Sequence, residues 1–177
     1  ALFSVLPTVA PDGTLVYTPA ANASGTSTFV LTARDSGGIA NGGSDTSTPQ
    51  VFTINVTPVN DQPAFTAANP AAVNEDSGAR TVTGWASFSA GPNESQGVLE
   101  YLVAGVSNPG LFATPPAISA SGVLTYTLAP NAFGTSIFDV RVRDNGGTAS
   151  GGVDTSVVQT FTITINGVHH GPQEKTR

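Results

Sequence analysis

Apolar and polar residues alternate with a period of two along several short segments of the chain. In residues 135–143 (TSIFDVRVR) three apolar side chains fall on one face and three charged ones on the other: Phe138, Val140 and Val142 against Asp139, Arg141 and Arg143. This period is that of a β-strand with one buried face. Similar runs occur at residues 13–19, 26–34, 50–56, 79–88, 98–106, 122–128 and 159–165. No segment carries the 3.6-residue period of an amphipathic helix.

These runs predict an all-β protein built from antiparallel β-sandwiches. Turn sequences (PDG and ASG) precede the runs at residues 13–19 and 122–128, as expected for strands joined by tight turns. About seven strands in roughly 105 residues are typical of an immunoglobulin-like sandwich. We expect the aromatic residues of these segments in its core, namely Phe112, Tyr126, Phe138, Phe161 and Trp85.

The chain also contains an internal repeat with an offset of 109 residues. Residues 2–56 match residues 111–165 without a gap, and 28 of the 55 aligned positions are identical. A period of this length corresponds to one whole domain per repeat, arranged in tandem. The sequence therefore predicts the C-terminal part of a first repeat in residues 1–60, a complete second repeat in residues 61–168, and a polar tail in residues 169–177.

The first repeat lacks the strands that correspond to the beginning of the second repeat. A β-sandwich without those strands exposes a sheet edge and part of its core. Two explanations follow. Either the chain is a fragment of a longer protein, which we favour, or strands donated by another molecule, including an identical chain, complete the first repeat.

Composition narrows the chemistry that this protein can perform. Only 10% of its residues are charged, and the net charge is −6. An acidic chain with a single lysine disfavours nucleic acids and leaves divalent cations as natural counter-ions. The absence of cysteine excludes disulfides, thiolate metal ligands and a thiol nucleophile. No apolar run reaches the 18 residues of a membrane span, so membrane insertion is not expected.

Two glycine-rich loops hold a large share of the carboxylates. They are RDSGGIANGGSDTS at residues 34–47 and RDNGGTASGGVDTS at residues 143–156. Each contains two aspartates, Asp35 and Asp45 in the first loop and Asp144 and Asp154 in the second. Carboxylate and backbone oxygens are the ligands that calcium requires. Asx-turns, in which the aspartates accept nearby backbone N–H groups, explain the same pattern equally well.

Two further segments resemble the signatures of cadherin repeats. NDQPAF at residues 60–65, followed by VNEDSG at residues 73–78, is similar to the linker and first-strand motifs of that family. VRVRDNGG at residues 140–147 resembles its Ala-x-Asp-x-Gly segment. The whole of residues 1–168 looks most like the cadherin-like or immunoglobulin-like tandem repeats of large bacterial surface adhesins. The resemblance implies an extracellular protein, on the bacterial surface or secreted, whose neighbouring repeats are joined by calcium.

The resemblance also implies a set of calcium ligands. Asn60 and Asp61 would be linker ligands, Asp144 would lie at the upper end of the second repeat, and Glu75 with the adjacent Asp76 at its lower end. Asp35 would face the junction before the first repeat, whereas Asp45 and Asp154 would lie in an insertion that the animal family lacks. The Asp-Arg-Glu and Asp-x-Asp motifs of animal cadherins are missing, which implies fewer or weaker sites, with dissociation constants of about 10⁻⁴–10⁻³ M.

An enzyme is not expected, because the two histidines lie in the polar tail and no serine has a histidine partner on the predicted scaffold. The predicted function is that of a calcium-stiffened stalk repeat with an unidentified surface receptor or glycan. One alternative is a self-assembling fibre subunit whose first repeat is completed by a neighbouring chain. Another is a carbohydrate-binding module, for which Trp85 and Tyr101 are the candidate sugar-stacking residues.

Overall fold

A computed structural model describes residues 1–169 of the chain, and its secondary structure is almost entirely β, as the alternating pattern predicts. The strands are β1 (Phe3–Val9), β2 (Leu15–Pro19), β3 (Gly25–Leu31), β4 (Gln50–Val56), β5 (Ala64–Thr66), β6 (Val73–Asn74), β7 (Ala79–Val82), β8 (Ser87–Ser89), β9 (Val98–Ala104), β10 (Phe112–Ile118), β11 (Leu124–Leu128), β12 (Gly134–Asp144) and β13 (Gln159–Asn166). Three short 3₁₀ turns accompany them, at Ala40–Gly42, Pro109–Leu111 and Ala149–Gly151.

The chain divides into two compact units, with unit 1 formed by Ala1–Val59 and unit 2 beginning at Asn60. Unit 2 contains a three-stranded sheet in the order β10-β11-β7 and a four-stranded sheet in the order β6-β13-β12-β9. Strands β5 and β8 form a separate antiparallel pair. All pairings in unit 2 are antiparallel except that of β6 with β13. This arrangement is a β-sandwich of two main sheets.

The core of unit 2 is built from the inward-facing residues of both sheets. Phe138, Val140 and Val142 on β12 are completely buried, while the charged side chains between them point outward. They pack in one cluster with Leu124 and Tyr126 of β11. Each of the five aromatic residues that the sequence assigns to the core is buried. The alternation of apolar and polar residues therefore sets which face of each strand is buried.

Unit 1 repeats the strand pairing of the second half of unit 2. Its pairs are β1 with β2 and β3 with β4, and both have the register of their counterparts 109 residues later. Phe29 lies opposite Phe52 in unit 1, as Phe138 lies opposite Phe161 in unit 2. Within residues 1–169, β2 and β3 have no further partner strand in the positions that β7 and β9 take in unit 2.

The structure corrects the sequence analysis at residues 79–88, which were predicted as one strand. They form two strands, β7 and β8, which belong to different sheets. Gly84, between the two, has φ +62°, a left-handed conformation that glycine adopts at little cost. The chain turns here and passes from one sheet to the other.

Candidate functional site

The first residue of unit 2, Asn60, is held in a socket formed by the glycine-rich loop between β12 and β13. Its amide Nδ2 donates one hydrogen bond to Oδ1 of Asp144 (3.0 Å) and another to the carbonyl of Val153 (2.9 Å). The backbone N–H of Val153 in turn donates to the carbonyl of Asn60 (2.9 Å). Three hydrogen bonds thus fix the start of unit 2 to this loop.

Glycines make the socket possible because they leave room for the asparagine side chain. A Cβ atom on Gly146 would overlap the amide group of Asn60, and one on Gly152 would lie 3.1 Å from the Asn60 Cβ. Gly146 also donates its N–H to Oδ1 of Asp144 (2.9 Å), which is the Asx-turn that the sequence offers as an explanation of the loop. The turn accounts for only one of the two oxygens of Asp144.

Two side-chain oxygens in the socket are buried without a hydrogen-bond partner. Asp144 is 1% exposed and its Oδ2 has no partner, and Asn60 is 8% exposed and its Oδ1 has none. Buried polar atoms in folded proteins are almost always hydrogen-bonded, since each one left unpaired costs about 1–3 kcal/mol. The socket therefore presents oxygens that are suited to a further partner.

Glu94 is a third member of this region, and the sequence analysis assigned it no function. Its Oε1 accepts the backbone N–H of Asp61 (2.9 Å), and its Oε2 is buried without a partner. The Cβ position of Gly91 is 3.4 Å from Oε2 of Glu94 and 4.0 Å from Oδ2 of Asp61, so the two carboxylates lie on the same side of one glycine. Gly91 has φ +119°, a conformation that disfavours any larger residue there.

The loop that carries Glu94 is bonded directly to the socket loop. Asn145 donates its backbone N–H to the carbonyl of Gly97 (3.1 Å) and accepts the N–H of Gly97 at its Oδ1 (3.0 Å). Asn60, Asp61, Glu94 and Asp144 thus lie at one end of unit 2, on three segments joined by hydrogen bonds. The sequence signal for Glu94 was weak, a single acid in a turn before β9.

Asp154 is engaged differently from Asp144. Its carboxylate accepts hydrogen bonds from the Thr155 hydroxyl (2.8 Å) and from Nε of Arg143 (3.1 Å). The Thr155 hydrogen bond, assisted by the Arg143 guanidinium, holds the pKa of Asp154 below its usual value. Because a cationic side chain already neutralises it, Asp154 is a poor metal ligand in this conformation.

The loop of unit 1 reproduces these local contacts. Asp45 forms an ion pair with Arg34, whose Nη2 lies 2.8 Å from Oδ2 of the carboxylate. Asp35 accepts the N–H of Gly37 (2.8 Å) at its Oδ1, as Asp144 does with Gly146. Unit 1 contains no residue that corresponds to Asn60.

Glu75 and Asp76 lie at the opposite end of unit 2 from Asp144. Glu75 is buried next to the end of β13, where its N–H donates to the carbonyl of Asn166 and its Oε1 accepts the N–H of Val168. Asp76 accepts the N–H of Asn131 (2.7 Å). Strand β12 separates the two ends by about 33 Å, at roughly 3.3 Å per residue. The predicted ligands of unit 2 therefore form two groups that cannot share an ion.

Other findings bear on the functional alternatives. Among residues 1–169, no group of three or more His, Cys, Asp or Glu side chains is placed so that it could hold a metal ion, so a cation in unit 2 would also need amide, backbone or water oxygens. No helix in this part of the chain is long and apolar enough to cross a membrane. The aromatic candidates for sugar stacking are buried: Trp85 donates its Nε1 to the Ala68 carbonyl (2.8 Å), and Tyr101 packs edge-on against Phe65.

Comparison of the chain with protein-family models, curated proteins and solved structures finds no significant match. The similarity to cadherin repeats consequently stays a prediction from the motifs of the sequence.

Proposed function

We propose that the chain is a structural repeat module of an extracellular bacterial surface stalk, and that unit 2 binds calcium at the end formed by Asn60, Asp61, Glu94 and Asp144. The observation that carries the proposal is the set of buried oxygens without partners, Oδ1 of Asn60, Oδ2 of Asp144 and Oε2 of Glu94. All three are hard oxygen atoms of the kind that calcium prefers.

The charges of the site support a cation rather than an anion or a neutral ligand. Asp61 and Glu94 lie beside the same glycine, and Asp144 is bonded to Asn60, the residue before Asp61. Like charges in a partly buried place repel each other, and a divalent cation relieves this repulsion. The carboxylates of Glu94 and Asp144, the amide oxygen of Asn60, backbone carbonyls and water together make a donor set that fits calcium, which takes six to eight oxygens.

Such a cation would act mechanically. Residues 60 and 61 directly follow the last residue of unit 1, and in unit 2 they are bonded to the loops that carry Asp144 and Glu94. A cation bound by Asn60, Glu94 and Asp144 would cross-link three segments and reduce the conformational freedom of the linker. This is the physical basis for a repeat that becomes stiffer in calcium-rich surroundings.

Thermal unfolding in millimolar calcium and in excess chelator tests the proposal. A ligand that binds only the folded state, at a concentration about a hundred times its dissociation constant, stabilises by about 2.7 kcal/mol. For unit 2 we expect calcium to raise the melting temperature by about 10 °C. The variant Glu94→Gln should lose most of this rise, because it removes a charged donor and preserves the shape of the side chain.

Asp139→Asn is the matched control, since Asp139 is an acid in the middle of β12 whose Oδ1 accepts the Thr160 hydroxyl. It should keep the full calcium response. An equal calcium shift in Glu94→Gln and the unchanged chain would contradict the assignment of the site. No shift in any of the proteins would contradict calcium binding itself.

A further inference from the structure

Unit 1 has two sheet edges that are paired in unit 2. In unit 2, β9 runs antiparallel to β12, with Val142 opposite Tyr101, and β7 runs antiparallel to β11, with Tyr126 opposite Arg80. The counterparts of β12 and β11 are β3 and β2, whose only partners within residues 1–169 are β4 and β1. An unpaired edge presents backbone N–H and C=O groups in the arrangement that a further strand requires.

The face of unit 1 that corresponds to the core of unit 2 is partly exposed. Leu15, Tyr17 and Phe52 are 40%, 38% and 45% exposed, whereas their counterparts in unit 2, Leu124, Tyr126 and Phe161, are 0%, 2% and 5% exposed. The residue types are identical at all three positions. The difference arises because residues 60–108 cover this face in unit 2, whereas no segment within residues 1–59 covers it in unit 1. A patch of this kind marks an interaction surface.

An exposed arginine of unit 1 also fits the presence of a further strand beside β3. In unit 2, Arg143 contacts Asp154 within its own loop and also Glu100 on β9, at 3.5 Å. Its counterpart Arg34 makes the same contact within its loop, to Asp45, and its side chain is 76% exposed. If a strand lay beside β3 in the register of β9, its residue at the position of Glu100 would lie opposite Arg34. An acidic residue at that position would form the same ion pair as in unit 2.

A cavity of about 300 Å³ lies beside the glycine-rich loop of unit 1, and Asp35, Asp45 and Ser44 are among its lining residues. Asp35 and Ser44 are the counterparts of Asp144 and Val153, the two residues that accept the hydrogen bonds of Asn60 in unit 2. The cavity of unit 1 is therefore lined by the counterparts of both residues that accept the hydrogen bonds of Asn60.

We propose that unit 1 is an acceptor for the N-terminal half of another repeat, a polypeptide segment with the pattern of residues 60–108. Its first residue would be an asparagine that enters the cavity at Asp35 and Ser44. One of its strands would pair antiparallel with β2 and another with β3, and an acidic residue of the latter would face Arg34. The segment completes the sandwich by covering Leu15, Tyr17 and Phe52.

Hydrogen exchange in an extended chain tests this proposal. A second copy of residues 60–110, fused directly ahead of Leu2, reproduces the connection that joins the two halves of unit 2. We expect the backbone amides of β2 and β3 to exchange at least about a hundredfold more slowly than in the original chain, with the amides of unit 2 unchanged. A fused segment of the same composition in scrambled order is the control and should give no protection.

Charge reversal gives a second readout that a non-specific apolar contact would not reproduce. In the fused copy, Glu100→Lys should lower the protection of β3 about two- to fivefold, and the neutral variant Glu100→Gln should lower it less. The proposal is overturned if the fused segment leaves unit 1 unprotected, or if both charge variants behave like the unaltered fusion.

Discussion

Replacing Gly122 with alanine is expected to destabilise unit 2 by about 3 kcal/mol or more, one of the largest effects of any single substitution in the chain. An added Cβ would overlap the carbonyl group of Ala86, a backbone atom that cannot rotate away. The backbone of Gly122 also has φ +77°, and its carbonyl accepts the N–H of Ala86 (3.0 Å). The substitution therefore forces alanine into a left-handed backbone conformation, introduces a steric clash with Ala86 and weakens the hydrogen bond between Ala86 and Gly122. Thermal unfolding should show a decrease of roughly 10–20 °C.

Two control substitutions distinguish the steric clash at Gly122 from the cost of its left-handed backbone conformation. Gly84 in unit 2 and Gly13, the counterpart of Gly122 in unit 1, have φ +62° and +87°, and neither has an atom within 4 Å of its Cβ position. Alanine at either position should cost only about 1–2 kcal/mol, the penalty of the left-handed conformation. If Gly122→Ala were no more destabilising than Gly84→Ala, the close approach of Gly122 to Ala86 would be wrong.

Replacing Gly146 with alanine is expected to displace Asn60 from its socket and to destabilise unit 2 by about 2–4 kcal/mol. The new methyl group would occupy the position of the Asn60 amide. Asn60 would then lose its hydrogen bonds to Asp144 and Val153, and the buried carboxylate of Asp144 would keep fewer donors. The substitution should also weaken calcium binding, because it separates the linker from the loop. Denaturant unfolding measures the loss of stability.

The matched control is Gly37→Ala in unit 1, where the Cβ position is 3.1 Å from Oδ1 of Asp35 and meets no asparagine. It should change stability by much less than Gly146→Ala. Asn60→Ala should reproduce most of the effect of Gly146→Ala, and the double variant should be little worse than either single one. Additive losses would show that the two residues act independently and would contradict the socket.

The fold could be predicted to a large extent because alternation directly reports one-sided burial. β12 is the clearest case, since Phe138, Val140 and Val142 are fully buried and Arg141 and Arg143 are exposed. Strands β1 and β10 were not predicted, because Pro7, Pro115 and Pro116 interrupt their patterns. β10 lies at the edge of its sheet, where a missing N–H is tolerated, and both strands have register irregularities beside their prolines.

The candidate site was less predictable, because its members come from distant parts of the chain. The motif resemblance placed Asn60 and Asp144 among possible ligands, and the structure brings them into hydrogen-bond contact across 84 positions. Glu94 carried no motif, and only the pairing of β9 with β12 brings its loop beside the socket. The contact of Asp154 with Arg143, eleven residues earlier, was equally hidden, because a carboxylate in a glycine-rich loop gives no sign of which side chain will lie beside it.

A calcium titration followed by ¹H–¹⁵N correlation NMR tests the cation site most directly, because it reports both binding and location. The cation site predicts saturable shifts with a midpoint of about 10⁻⁴–10⁻³ M. The largest shifts should occur at the amides of Asp61, Glu94, Gly146 and Val153, and only small ones in the loop of residues 34–47. Shifts that do not saturate, or that are largest at Glu75 and Asp76, would contradict a calcium site at this end of unit 2.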